Sequence, residues 1–197
     1  MSFIEACSEG NLKKAKRIFE TIDIDIHAKD EKAFRQAVYH GNFEIVKWLI
    51  EISEINIHAK NENAFCSACL KGNLKMAKYL FEISKKDKYG MIDIHAEDDQ
   101  AFCWACENDH LEVAKWLFEI DNKIDIHDED ENIFHGACEN GRLDVVKWLI
   151  NTCIQKRLGE INIHHIYKAF KYAYRNNRLE IAKYLLVHFN KNKLIEI

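Results

Sequence analysis

Two Cys-x-x-Cys pairs are the residues of this chain that most resemble a metal site. Cys66 and Cys69 form one pair and Cys103 and Cys106 the other, and four cysteine thiolates are a common ligand set for structural zinc. The chain, however, consists of repeats of two predicted helices each, and the two pairs occupy equivalent places in the first helices of two neighbouring repeats. Packed helices lie about 8–10 Å apart, whereas a Zn–S bond is about 2.3 Å long. We therefore expect no zinc site and no cofactor.

Histidine recurs once in each of five repeats, within an Ile-Asp/Asn-Ile-His element. These histidines are His27, His58, His95, His127 and His164. Such a column could bind a metal or relay protons, but residues one repeat apart are separated by roughly 10 Å, which is too far to share a ligand. The favoured interpretation is structural: each histidine ties one connector between repeats to the next through hydrogen bonds.

Catalytic groupings are not evident in the sequence. No Ser/His/Asp or Cys/His combination stands out, and there is no paired-carboxylate motif. Glycine-rich phosphate loops are also missing, since the chain has only 7 glycines and most of them fall in predicted turns. We predict that the protein is not an enzyme and has no small-molecule substrate.

The connectors between repeats become more acidic along the chain. Their tips read AKDEK, AKNEN, AEDDQ and DEDEN. Trp104 lies close to this acidity, at a position that holds Gln36, Ser67, Gly136 and Tyr172 in other repeats, a variety that a core position would not tolerate. An exposed tryptophan beside carboxylates suits a protein partner with a basic surface.

The candidate partner-binding residues are therefore acidic or adjacent to this tryptophan. They are Trp104, Glu107, Asn108, Glu97, Asp98, Asp99, Glu129, Asp130 and Glu131. The competing interpretation is a solvated acidic edge with a partly packed tryptophan and no specific ligand.

Charge is unevenly distributed although the net charge is only −4. Residues 92–144 contain 16 Asp or Glu against 3 Lys or Arg, and residues 155–197 contain 9 Lys or Arg against 3 Asp or Glu. The basic final segment gives a weak case for nucleic acid. A charged outer face on a terminal repeat is also what solubility of a repeat protein requires, so we do not expect nucleic-acid binding.

Internal repetition supplies the elements that position these residues. A phenylalanine begins each of six copies, at residues 3, 34, 65, 102, 134 and 170. Each copy predicts one helix with a bulky residue and a small pair on one face, then a second helix with a narrow polar stripe. In the fourth copy that stripe is Glu112, Lys115 and Glu119. No linker separates the copies, so we predict a single domain over residues 1–197.

The residues between the two helices are of the types that best accept left-handed backbone. They are Gly10, Gly41, Gly72, Asp109, Gly141 and Asn177. Ahead of the first helix, Asp30, Asn61, Asp98 and Asp130 are good N-cap types, and we expect them to cap it. The insertions at residues 84–91 and 151–160 are expected to form loops.

The segments AFCWAC, DHLEVAKWLFE and IDIHAED together resemble the ankyrin repeat, whose parts read TPLHxAA, a glycine turn, HLEVVKLLLE and ADVNA. The resemblance covers essentially all residues, although the TPLH tetrapeptide itself is absent. The repeat consensus IDIHAxxExAFxxACxNGxLEVAKWL is similar to the repeats of the large ankyrin families of giant DNA viruses of the mimivirus type.

This resemblance implies an all-α ankyrin-repeat solenoid of about six stacked helix-turn-helix units. It also implies a non-enzymatic scaffold that binds a host or viral protein through its connector tips and concave face. The alternative is a structural or virion component, or an adaptor, without a specific ligand. No apolar run reaches the roughly 18 residues of a membrane span and no signal peptide is recognisable. We expect an intracellular protein, in the host cytoplasm for a viral chain, with no membrane contact.

Overall fold

Twelve α-helices and no strand make up the part of the chain that the structure describes. The structure is a computed structural model and describes residues 2–121, 123–124, 126, 132–156, 158 and 163–189. The helices are α1 Phe3–Ser8, α2 Leu12–Thr21, α3 Ala28–Tyr39, α4 Phe43–Ile52, α5 Ala59–Leu70, α6 Leu74–Ser84, α7 Ala96–Glu107, α8 Leu111–Ile120, α9 Asn132–Asn140, α10 Leu143–Lys156, α11 Ile163–Arg175 and α12 Leu179–His188. None of these helices is both long and apolar enough to cross a membrane. The predicted all-α fold is confirmed.

The chain divides into two compact units, Met1–Ala101 and Phe102–Ile197. The first unit contains the helix pairs α1/α2, α3/α4 and α5/α6, and the division falls within α7. The second unit contains the C-terminal part of α7 and the helices from α8 to α12. The single domain over residues 1–197 stays a prediction.

In the first unit, the first helices of consecutive repeats pack side by side, with α3 against both α1 and α5. The contact uses the predicted bulky residue and small pair. Phe34 and Phe65 are 0 % exposed, as are Ala37 and Ala68. Each buried phenylalanine contributes roughly 1.5–3 kcal/mol, and the alanines let the helix backbones approach.

The second unit uses the same residue types. Phe102 and Phe134 are fully buried, and α11 packs against α9. In the last repeat, Ala173 is buried whereas Tyr174 is 64 % exposed. The bulky tyrosine that stands in the second place of the small pair therefore lies on an uncovered face.

Each connector of the first unit leads into three consecutive residues with left-handed backbone. The segments are Lys29–Glu31, Lys60–Glu62 and Glu97–Asp99, with φ between 51° and 60°. This conformation costs a residue with a side chain roughly 1–2 kcal/mol, so other interactions must offset it.

The expected capping residues lie inside these turns and bond elsewhere. Asp30 pairs with Lys60 of the next connector at 2.9 Å, and the amide of Asn61 donates a hydrogen bond to Glu97. No side-chain cap is formed at the start of α3 or α5. Of the other two residues expected to cap, Asp98 is exposed at the middle of its own left-handed segment, and Asp130 lies outside the described residues.

The third residue of each left-handed turn is an acid whose carboxylate is engaged inside the connector. The Glu31 side chain is 6 % exposed and lies 2.7 Å from Nδ1 of His27. The same oxygen accepts the N–H of Asn56, in the next connector, at 3.1 Å. The Glu62 carboxylate makes the equivalent contacts: its Oε1 lies 2.6 Å from Nδ1 of His58 and accepts the N–H of Asp93 at 3.2 Å. Each carboxylate therefore bonds to its own connector and to the one that follows.

The histidine column has the predicted role of joining connectors at two positions. Nε2 of His27 lies 2.8 Å from the hydroxyl of Ser53, and Nε2 of His58 lies 2.7 Å from the carbonyl oxygen of Tyr89. The prediction is confirmed for these two histidines, whereas His127 lies outside the described residues.

The turn between the two helices of each repeat is left-handed, as predicted. All six residues of the turn column have φ between 58° and 82°. The residue after this position reaches back to the preceding repeat: Nδ2 of Asn42 donates to the carbonyl oxygens of Cys7 and Ser8, both at 2.8 Å. These bonds satisfy carbonyls at the end of α1, which the helix itself leaves without partners.

The second insertion differs from the predicted loop. α10 continues to Lys156, so residues 151–156 lengthen the helix. Thr152 and Cys153 are buried there, at 7 % and 2 % exposure, and the segment contains no glycine or proline that would end a helix. The first insertion leaves α6 after Ser84, as expected.

Replacing Gly10 with alanine is expected to destabilise the protein more than replacing Gly90, although both residues have a φ of +77°. The left-handed backbone costs either alanine roughly 1–2 kcal/mol. At Gly10 a Cβ would also lie 2.7 Å from Oδ1 of Asn42, whereas at Gly90 the nearest atom is 4.0 Å away. Displacing the Asn42 amide weakens its bonds to α1, which adds about 1 kcal/mol. Urea unfolding of both variants measures the difference, and equal losses would show that the Asn42 contact contributes nothing.

Candidate functional site

The C-terminal end of α7 carries Trp104 and Glu107 on one helix face, since residues three apart are neighbours there. Both side chains are half-buried. Asn108 follows the helix, and its Nδ2 donates a hydrogen bond to the carbonyl oxygen of Trp104 at 2.9 Å. The amide of Asn108 thus stabilises the helix end, while Trp104 and Glu107 keep part of their side-chain surface in solvent.

A second carboxylate, that of Glu139 in α9, lies close to Glu107. The Glu107 side chain reaches across Gly136, where an added Cβ would lie 3.1 Å from Oε1 of Glu107. Burial, and after it the negative charge of Glu139, raises the pKa of Glu107 above its ordinary range. The folded chain therefore keeps two like charges near each other at some cost in stability.

Two arginines lie beside these acids and bind backbone atoms. Nε of Arg142 donates to the carbonyl oxygen of Glu107 at 2.8 Å, and Nε of Arg178 donates to that of Glu139 at 3.1 Å. Within the described residues, no cationic side chain forms an ion pair with the carboxylate of Glu107 or Glu139. The carbonyl groups at the helix ends are satisfied, and the two carboxylates remain uncompensated.

Trp104, Glu107 and Glu139 together are termed the acidic helix face. Sequence reasoning named the first two and missed Glu139. The signal for it was present, because Ala-Cys-Glu-Asn occurs at residues 105–108 and again at 137–140. Two identical tetrapeptides at equivalent places in consecutive repeats put their glutamates in the same column.

Acids on the second helices have a different environment. Nζ of Lys115 lies 3.1 Å from Oε1 of Glu112, and Nζ of Lys147 lies 3.8 Å from Oδ1 of Asp144. These are the weak pairs expected on a solvated helix face, worth a few tenths of a kcal/mol each. They contrast with the uncompensated carboxylates of the acidic helix face.

The other predicted binding residues lie in connectors. Glu97 and Asp98, in the first unit, are exposed. The Asp99 side chain is only 17 % exposed, and its Oδ1 lies 2.6 Å from Nδ1 of His95. Asp99 thus occupies the buried-acid position of its connector. Glu129, Asp130 and Glu131 lie outside the described residues.

The Cys-x-x-Cys pairs have the environment of core residues. Cys66, Cys69 and Cys106 are buried, and Cys103 is half-buried. Burial raises the pKa of Cys66 to about 12, so the thiol stays protonated and is a poor ligand or nucleophile. Among the described residues, no group of three or more His, Cys, Asp or Glu side chains is placed to hold a metal ion.

Comparison with protein families places the whole repeat region in one of them. The family model for ankyrin repeats (3 copies) matches residues 3–98, 34–130, 85–164 and 102–195. The chain belongs to the ankyrin repeat family. Ankyrin repeats are general protein-interaction modules and are typically non-enzymatic.

Solved structures show the same fold at low sequence identity. The crystal structure of the human ASB11 ankyrin repeat domain is 19 % identical with a TM-score of 0.66, over 94 % of this chain and 82 % of that chain. A chain in the complex of Bd0816 predatory endopeptidase from Bdellovibrio bacteriovorus with immunity protein Bd3460 is 22 % identical with a TM-score of 0.66, over 94 % and 97 % of the two chains. A comparison with curated proteins finds no match. The similarity to giant-virus ankyrin proteins stays a prediction.

Replacing Glu107 with glutamine is expected to stabilise this ankyrin protein as the pH rises. A carboxyl whose pKa is raised on folding binds its proton more tightly in the folded state, so wild-type stability falls as pH rises from about 4.3 to the folded pKa. The Glu107→Gln variant loses this penalty, and its advantage grows through that window and then stays constant. Thermal unfolding between pH 4 and pH 8 measures it. Glu112→Gln is the control, since Glu112 is paired with Lys115; an equal gain in that variant would contradict the explanation.

Proposed function

We propose that the protein is a non-enzymatic scaffold that binds a basic segment of a partner protein at the acidic helix face. The observation that supports this most is the pair of neighbouring carboxylates, Glu107 and Glu139, without a cationic partner among the described residues. Natural proteins commonly keep such destabilising arrangements where function needs them. A lysine or arginine of a partner would remove the repulsion and form charge-assisted hydrogen bonds.

Trp104 supplies the apolar part of the proposed site. It precedes Glu107 by one helical turn and is half-buried, so its ring is held by the fold and still reachable. The aliphatic stem of a lysine or arginine can pack on an indole ring, and its charge is attracted to the ring face. A basic side chain would then pack on the tryptophan and bond to the Glu107 carboxylate, and the charge of Glu139 would add to the attraction.

The site is largely preformed, which lowers the entropic cost of binding. Gly136 leaves the space that the Glu107 side chain occupies, and the bond from Arg142 fixes the carbonyl at the end of α7. The position of the carboxylate therefore depends on contacts that exist before a partner arrives.

The connector tip of the first unit is proposed as a separate acidic element. Glu97 and Asp98 are exposed there, and either can attract a basic partner through long-range charge. Asp99 contributes to the connector instead, because His95 contacts its carboxylate.

The second candidate is a structural or virion component, or an adaptor, without a specific ligand at this face. The proposed location is inside a cell, in the host cytoplasm for a viral chain, because the chain has an odd number of cysteines, 7, and thiols stay reduced inside cells. For a viral chain, the partner of the proposed scaffold would be a host or viral protein.

Basic peptides test the proposal directly. Fluorescence polarisation would measure binding of labelled nonapeptides with two arginines or lysines around a leucine, at a salt concentration of about 0.15 M, where charges are screened beyond about 8 Å. Glu107→Gln combined with Glu139→Gln is expected to weaken binding about tenfold or more, which corresponds to about 1.4 kcal/mol. Trp104→Ala should also weaken it.

A double variant on another face of the same unit is the matched control. Glu112→Gln with Glu119→Gln removes the same number of negative charges from exposed positions on α8 and should change affinity less than about twofold, since distant surface charge acts weakly. Equal loss in the two double variants, or no binding of any basic peptide, would favour the scaffold without a ligand at this face.

A further inference from the structure

His58 differs from the equivalent histidine of the preceding repeat in what its ring contacts. Its Nε2 lies 2.7 Å from the carbonyl oxygen of Tyr89, and its Nδ1 lies 2.6 Å from Oε1 of Glu62. A carbonyl oxygen only accepts hydrogen bonds, so Nε2 carries a hydrogen. The contact at Nδ1 needs a second proton, because an unprotonated ring nitrogen and an ionised carboxylate repel each other. The His58–Glu62 pair therefore holds one proton between Nδ1 and Oε1.

His27 does not need this extra proton. Its Nδ1 lies 2.7 Å from Glu31, but its Nε2 lies 2.8 Å from the hydroxyl of Ser53. A hydroxyl can donate as well as accept. A neutral His27 that donates from Nδ1 and accepts at Nε2 therefore satisfies both contacts.

The acceptor that makes the difference comes from the insertion at residues 84–91. Tyr89 belongs to this segment, and its N–H donates to the carbonyl oxygen of Lys86 in a short turn. The Glu62 carboxylate also accepts the N–H of Asp93, just after the insertion. The C-terminal end of the insertion and the connector that follows it thus meet at the His58–Glu62 pair.

We propose that His58, Glu62 and the carbonyl group of Tyr89 form a proton-dependent latch, which holds the insertion against the connector before α5 and releases it when the shared proton is lost. Once that proton leaves, only one ring nitrogen of His58 carries a hydrogen. If Nε2 keeps it and donates to Tyr89, the unprotonated Nδ1 faces the Glu62 carboxylate and the two repel each other. Turning away from Glu62 breaks the bond to Tyr89. The latch is independent of the protein binding proposed above.

Solvent can reach the latch through a small cavity. The cavity has a volume of about 240 Å³ and is lined by Glu54, Ile55, Asn56, His58, Lys88 and Tyr89. The His58 side chain is 30 % exposed, whereas that of Glu62 is 7 % exposed. The proton can therefore exchange with water at the histidine.

The charged groups around His58 come from each segment packed on it. Glu62 lies on the helix that His58 precedes, Glu54 on the same connector as His58, Lys88 on the insertion and Asp93 on the following connector. Nζ of Lys88 lies 4.6 Å from the centre of the Tyr89 ring. The carboxylate in direct contact is that of Glu62, so it dominates the electrostatics.

The direction of the pH dependence follows from these contacts. Burial alone would lower the pKa of His58, but the hydrogen bonds to Glu62 and Tyr89 and the charge of Glu62 outweigh it and raise the pKa. A raised pKa means that the latch is fully formed below the ordinary histidine value of about 6.5. Its stability then declines as pH rises to the folded pKa.

Hydrogen exchange of the Tyr89 and Asp93 amides tests the latch, after correction for the intrinsic exchange rate. Protection should fall by up to about tenfold per pH unit from about pH 6.5 to the folded pKa and then level off. The His58→Gln variant should lose this pH dependence. His27→Gln is the matched control and should keep it.

Nitrogen NMR of the wild-type protein gives a second test that needs no variant. As the pH rises, Nδ1 of His58 should keep its hydrogen beyond the ordinary histidine pKa of about 6.5, because the contacts of the latch raise that pKa. A His58 ring that titrates at or below about 6.5 would overturn the proposal. Protection at Tyr89 and Asp93 that changes equally with pH in wild type and His58→Gln would do the same.

Discussion

A carboxylate in the interior of each connector is the interaction on which the first unit depends. Three consecutive left-handed residues cost roughly 3–6 kcal/mol at about 1–2 each. Glu31 and Glu62 each receive a histidine and a backbone N–H, and hydrogen bonds to a charged group contribute about 1.5–3 kcal/mol each. The two amounts are comparable, so the two bonds together offset the strain of the left-handed turn. Because the N–H comes from the next connector, one repeat sets the backbone of its neighbour.

A second hydrogen bond between repeats lies at the C-terminal end of the first helix, and its donor side chain differs between the two units. Asn42 fills this place in the first unit, and Arg142 and Arg178 fill it in the second. Both satisfy carbonyl groups at a helix end, but an arginine also brings a positive charge close to acids on that helix. The guanidinium groups nevertheless bond to backbone oxygens, so the structural bond is made without neutralising Glu107 and Glu139. A substitution of the carboxylates can therefore change partner binding without removing the bonds that join the repeats.

The turns and the stacking faces of the repeats were predictable, because the residue types at those positions are sufficient to identify them. Glycine, asparagine and aspartate identify the turn column, since few other residues accept positive φ, and the phenylalanine with its small pair identifies the stacking face. The left-handed segments were not predictable, because lysine and glutamate seldom adopt this backbone and give no signal for it. Bonds to the next connector impose it. The helical extension at residues 151–156 was missed for a related reason, since burial of Cys153 is a tertiary contact.

Acidic residues near the connectors do two jobs that composition cannot distinguish. Asp99 and Glu107 were named together from the sequence as binding residues. Asp99 lies against His95 and is mostly buried, so its charge is used inside the fold. Glu107 feels the like charge of Glu139 and has no ion-pair partner among the described residues, so its charge is unmatched. Trp104 is different, because the variety of residue types in its column already distinguishes it in the amino-acid sequence. A carboxylate that receives a hydrogen bond from a neighbouring side chain, as Asp99 does, becomes part of the fold. A carboxylate whose neighbour has the same charge, as Glu107 does, stays available to a partner. Only the positions of the neighbouring side chains distinguish the two cases.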